Sequence, residues 1–191
     1  MNAAVRTESH LVWPLLFSVL VSVSVAFECV ASDDGDKPHK VTDAKLGNTR
    51  NVHACGKLFL AGQPSPDDIA VLKEKGIQRV ITLRTDGEVD WDEAGKVKQA
   101  GIEFVKIPFG RPDSLTDQVF DKVRKALKDH QKPTLLHCGS ANRVGAVWLT
   151  YRVLDEGVPV DQAIKEAKRV GLRSSAYLQK ALDYIRRHSK G

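Results

Sequence analysis

The stretch His137-Cys138-Gly139-Ser140-Ala141-Asn142-Arg143 holds the residue types and spacing of this chain that could do chemistry. A cysteine opens a loop of small residues and an arginine closes it, with four residues between them. An apolar run over residues 134–136 leads in, and an apolar helical pattern over residues 144–154 leads out. A strand, a tight loop and a helix N-terminus collect backbone N–H groups around an anion. A sulfur at the base of such a loop shares that positive field, a setting that favours a nucleophilic thiolate. Two reactions use a sulfur beneath an oxyanion cradle: phosphoryl transfer, as in a cysteine phosphatase, and sulfur transfer, as in a rhodanese. A lone cysteine at a strand end is ordinarily only core. Here Gly139 and Asn142 can adopt the left-handed conformations that a tight loop needs, and a helix follows at once.

The elements that must position this loop alternate along the chain. Strand patterns fall at 58–61, 78–83, 103–107 and 134–137. Helical patterns fall at 67–75, 92–100, 116–129, 143–156, 160–170 and 174–188. Gly76 and Gly101 close two of the helices, and Thr116 is placed to cap a third. This alternation predicts a three-layer α/β domain with a central, mainly parallel sheet flanked by helices. Ligands bind at the carboxyl ends of the strands in such sheets, where the Cys138 loop falls.

The flanking sequence divides the chain of 191 residues into three parts. Residues 1–32 have the order of a secretory signal peptide: Arg6 and His10, an apolar run over 11–27, then Val30-Ala31-Ser32 for cleavage. That order predicts a secreted or periplasmic protein, which touches a membrane only if the segment stays uncleaved. Residues 33–50 read as a polar linker without a core, and residues 51–191 as the domain. The formal net charge is +5. Loss of residues 1–32 would leave 28 basic and 22 acidic residues, an excess that suits an anionic substrate. No Lys/Arg run and no aromatic-basic alternation points to nucleic acid. Cys55 and Cys138 would remain, either as a disulfide or as two separate thiols. With no Cys-x2-Cys pair, neither a metal nor another cofactor is expected.

Four segments, in order, carry a resemblance: Ala61-Gly62-Gln63-Pro64-Ser65, Val80-Ile81-Thr82-Leu83-Arg84, Gly101-Ile102-Glu103-Phe104-Val105-Lys106-Ile107-Pro108 and His137-Cys138-Gly139-Ser140-Ala141-Asn142-Arg143-Val144-Gly145. Together they resemble the protein tyrosine phosphatase-like superfamily. The closest likeness is to its small bacterial branch, typified by the phosphatase-like domain of beta-lactamase hydrolase-like proteins. The resemblance implies a dual-specificity phosphatase-like fold. It also implies hydrolysis of phosphate monoesters, on a phosphorylated protein or a small phosphoester, through a phosphocysteine. Cys138 would then attack phosphorus, and Arg143 would grip two phosphate oxygens with its planar fork. The N–H groups of Gly139, Ser140, Ala141, Asn142 and Arg143 would complete the cradle. His137 would fix the loop by hydrogen bonding to nearby backbone. Asp113, on the loop after Ile107-Pro108, would supply the leaving group's proton, with Asp117 and Asp86 the next candidates.

The chain departs from the superfamily's mainstream in two ways. Four residues rather than five separate Cys138 from Arg143, a spacing the small bacterial branch shares. Val144 also stands where a hydroxyl residue normally helps the sulfur leave. Two other readings stay open: a rhodanese-like sulfurtransferase, and a catalytically weak phosphate- or phosphoprotein-binding module. The Gly62–Ser65 turn and the Ile107-Pro108 segment with its following Asp favour the phosphatase.

Overall fold

The computed structural model describes Met1, residues 38–128 and residues 132–189. The expected signal segment lies, Met1 apart, outside the described residues. Six strands form one sheet: β1 (Thr42–Asp43), β2 (His53–Cys55), β3 (Leu58–Ala61), β4 (Arg79–Thr82), β5 (Glu103–Lys106) and β6 (Thr134–His137). Their order is β1-β2-β3-β6-β4-β5. The run β3-β6-β4-β5 is parallel, and β1 and β2 add an antiparallel edge. Every residue of β4 and β6 is buried, as expected of interior parallel strands covered on both faces.

The pleat sorts the side chains onto two cores. Leu60, Ile81 and Leu136 face one side and pack with α3 (Asp117–Leu127), α4 (Asn142–Leu154), α5 (Val160–Val170) and α6 (Ser175–His188). Ala61, Val80 and Leu135 face the other, against α1 (Asp68–Glu74) and α2 (Glu93–Gln99). Helix α4 is buried continuously from Arg143 to Arg152, so it is apolar around most of its circumference and runs through the larger core. The expected three-layer α/β architecture is thus present, with β6 inside the sheet and the Cys138 loop at its carboxyl end.

Two expectations need correction. The folded body begins before residue 51: Val41 and Leu46 are buried, β1 pairs with β2, and Asp68 accepts bonds from Asn48 N (2.7 Å) and Thr49 Oγ1 (3.0 Å). Only Val41, Ala44 and Leu46 anchor residues 41–49, too few to show as a periodic pattern. Thr116 does precede α3 in extended conformation, but its side chain makes no capping bond.

The cysteine alternatives are also resolved. Cys55 pairs with Leu58 at the start of β3, and its Sγ donates to His39 O (3.2 Å). Cys138 N instead bonds Ala61 O at the end of β3 (3.3 Å). Three residues of strand, about 10 Å, separate these positions, beyond the reach of a disulfide. Both thiols are free, and burial pushes that of Cys55 up to about 12.

Candidate active site

The Cys138 loop is held from outside by its carbonyl groups. Gly139 O accepts from Gln63 N (3.3 Å), Ser140 O from Asn51 Nδ2 (3.1 Å), and Ala141 O from Gly145 N (2.9 Å). Ala141 takes φ 64°, the left-handed turn that lets the chain enter α4. Although Gly62 and Ser140 form an isolated β-bridge, the N–H groups of residues 139–143 have no hydrogen-bond partner of normal geometry among the described residues. Five consecutive donors of this kind in a tight loop at a helix N-terminus form a ready anion cradle. Cys138 is 1% exposed, so a reacting group must enter the loop's concavity to meet its sulfur.

Arg143 is fixed by three residues on two segments. Its Nη1 donates to Leu83 O (3.0 Å) after β4 and to Phe109 O (2.7 Å) after β5. Glu88 takes Nη1 and Nη2 in a bidentate pair, both at 3.0 Å. Burial would raise the Glu88 carboxyl, but bonds from Arg143 and Thr85 N hold it below the usual range. Arg84 also donates to Glu88 O and comes within ion-pair distance of the Glu88 carboxylate (3.4 Å). On its other side, Arg84 Nη1 passes 3.1 Å from where a Cβ on Gly139 would sit. Glu88 thus serves two arginines flanking the loop. Reading along the chain misses it, because nothing local marks which acid neutralises Arg143. The usable signal is the rule that a buried guanidinium needs a carboxylate, applied to the loop after β4.

Beneath the loop, His137 faces the other core. It is fully buried, and its Nε2 lies 3.2 Å from Glu93 Oε1 without the alignment of a hydrogen bond. Neither ring nitrogen has a partner of normal hydrogen-bond geometry, but the Cys138 backbone acts on the ring as the expected backbone bond would. Burial, opposed by that backbone contact and reinforced by Arg84 and Arg143, pushes the imidazole down to about 3. Burial likewise raises the Glu93 carboxyl, opposed by a bond from Gln63 Nε2 (2.5 Å). Gln63 therefore bonds the loop through its backbone and Glu93 through its side chain, which explains the place of the Gly62–Ser65 turn.

The structure brings Cys138, Arg143 and the cradle residues Gly139, Ser140, Ala141 and Asn142 together. Asp113 is placed differently. It sits exposed on a 3-10 turn (Pro112–Ser114) and lines a cavity with Asp117, Lys180 and Arg187. The loop carrying it starts at the site, where Arg143 bonds Phe109 O and Tyr177 OH donates to Gly110 O (2.9 Å). Asp117 pairs with Arg187 (2.6 Å), and Asp86 pairs with Lys106 on the surface.

Comparison with known proteins agrees with this geometry. Residues 52–154 match the phosphatase-like domain of beta-lactamase hydrolase-like proteins. Dual specificity protein phosphatase TpbA of Pseudomonas aeruginosa is 24% identical over 132 residues, covering 68% of this chain and 58% of TpbA. Beta-lactamase hydrolase-like protein of Xylella fastidiosa is 24% identical over 139 residues, which is 70% of this chain but 31% of that protein. The chain therefore spans under two thirds of either relative. Among solved structures, a DUF442 protein of Shewanella putrefaciens superposes with a TM-score of 0.64 at 22% identity, over 76% of this chain and 97% of that one. TpbA in complex with phosphotyrosine gives 0.62 at 20% identity, over 78% and 90%. The fold is that of the tyrosine and dual-specificity phosphatases. With the family match covering more than half of its length, the chain belongs to the family of phosphatase-like domains of beta-lactamase hydrolase-like proteins.

Proposed function

We propose that this protein is a cysteine-dependent phosphatase acting on phosphate monoesters. One observation carries the reading: the backbone N–H groups of residues 139–143, without partners of normal geometry, lie in the tight loop that Cys138 opens, beside an arginine held by Glu88 and two carbonyls. An anion with tetrahedral oxygens suits that cradle and fork. In the first step a bond forms between Cys138 Sγ and phosphorus while the bond to the leaving oxygen breaks. Asp113 gives its proton to that oxygen. Water then attacks phosphorus, its proton passes to the Asp113 carboxylate, and the sulfur leaves as thiolate. This role for Asp113 requires residues 111–113 to turn toward the loop beyond Gly110, whose carbonyl Tyr177 holds.

Val144 is fully buried in the larger core and offers no hydroxyl to the departing sulfur, so the second step is slow. Phosphotyrosine, the compound bound to TpbA, is a substrate of the right class. The proposal includes export of the chain by its N-terminal segment.

The test sets two assays side by side on the purified protein: an aryl phosphate, and thiosulfate with cyanide. Phosphate release without added metal, abolished by Cys138→Ser, is the expected result. Sulfur transfer with no phosphate release would replace this reading with the rhodanese one. Phosphate binding with neither activity would make the protein a binding module.

A further inference from the structure

We propose that Arg173 reads a second phosphoryl group, adjacent to the one that Cys138 attacks. The preferred substrate then carries two neighbouring phosphates. This inference rests on the phosphatase reading and refines its substrate class.

Arg173 lies in the turn between α5 and α6, far from the loop in sequence but locked to it in space. Gly171 takes φ +139°, and a Cβ there would meet Ala141 Cβ at 3.0 Å and Ser140 O at 3.2 Å. Gly145 of α4 has no room for a Cβ either, since Leu172 Cβ would lie at 2.7 Å and Leu172 N at 2.9 Å. Asn142 Oδ1 accepts from Arg173 N (2.8 Å) and from Ser174 N (3.1 Å). Two glycines and an asparagine thus seat this turn against the loop. The Arg173 side chain then donates from Nη2 to Ser140 Oγ (2.9 Å).

This placement exceeds what holding Ser140 requires. One of the five guanidinium donors goes to Ser140, and Arg173 as a whole is exposed. Among the described residues no carboxylate pairs with it, whereas Arg84 and Arg143 both lean on Glu88. Arg173 is therefore an uncompensated charge at the rim, one side chain away from the cradle's N–H groups. Its planar fork matches a phosphate. A single phosphate in the cradle is served by the loop and Arg143, so the second fork is left for a neighbouring group.

The test measures binding of orthophosphate and of pyrophosphate to the full chain carrying Cys138→Ser, by calorimetry at fixed ionic strength. The quantity read is the ratio of the two affinities. Pyrophosphate should bind more tightly by roughly ten- to a hundredfold, the worth of one hydrogen-bonded charge pair. Adding Arg173→Ala should collapse that ratio toward one, and Arg173→Lys should restore part of it. An unchanged melting temperature would exclude a folding effect. Equal affinities, or a ratio that survives Arg173→Ala, would overturn the inference while orthophosphate binding left the phosphatase reading standing. Binding of neither anion would remove both.

Discussion

His137 and Glu93 are two titratable side chains in contact beneath the phosphate cradle, and burial opposes the charged form of each. Charging either one there would cost free energy, because burial disfavours the charged form of both. The two act on stability with opposite sign. The unfolded chain protonates His137 near its ordinary 6.5, but the folded protein resists until about 3. Stability is thus lost as pH falls through that window, by up to about 1.4 kcal/mol per pH unit. Glu93 stays protonated in the folded protein above its ordinary 4.5, so its contribution is present at low pH and lost as pH rises through its elevated value. The acid loss of the wild type is the difference between these effects. Denaturant midpoints measured from pH 4 to 8 should fall less steeply on acidification in His137→Asn and more steeply in Glu93→Gln. Curves parallel to the wild type in both variants would refute the assignment.

At the scale of elements, the loop is shaped by what is packed behind it. Gly145, in the first turns of α4, would thrust a Cβ onto Leu172 and within 2.8 Å of Ala167 O. Gly145→Ala should therefore cost about 1–3 kcal/mol as an overpacked core position, although alanine is the better helix former. The displaced turn carries Arg173 and the Asn142 bonds, so phosphate affinity should drop along with the melting temperature. A variant as stable as the wild type, with unchanged affinity, would show that the packing yields freely. This dependence also marks what the sequence could not disclose. The loop, its flanking strand and its helix are legible because Cys138, the small residues and Arg143 are contiguous and the apolar periods around them are strong. Glu88, Glu93 and Arg173 are not, because their roles arise from pairings across the tops of different strands and helices. Asp113 was legible only as a position on a loop, and it lies over the cavity beside α6 because the 3-10 turn directs it there.

For the molecule as a whole, the site is a meeting of strand ends. β3 delivers Gln63, β4 delivers Leu83 O, Arg84 and Glu88, β5 delivers Phe109 O, and β6 delivers Cys138. Such convergence at carboxyl ends is what a parallel sheet offers a ligand. Residues 41–51 reinforce it from the antiparallel edge. Leu46 is fully buried, Asn48 and Thr49 satisfy the buried Asp68, Arg50 O accepts from Gly62 N (2.9 Å), and Asn51 bonds Ser140 O. A chain beginning at residue 51 loses all of these but the last. Burial of Leu46 alone is worth about 1.5–3 kcal/mol, and a buried Asp68 that keeps Ser65 N (2.8 Å) but loses Asn48 and Thr49 adds about 1 kcal/mol. A chain beginning at residue 38 keeps every one of them. The shorter chain should therefore unfold at markedly lower denaturant and bind orthophosphate more weakly, since Gly62 adjoins the Gln63 that holds Gly139 O. The chain from residue 38 should bind orthophosphate as the full chain does. Equal stability of the two shortened chains would show that residues 38–50 are the linker their composition suggests, and that the edge strand contributes nothing to the site.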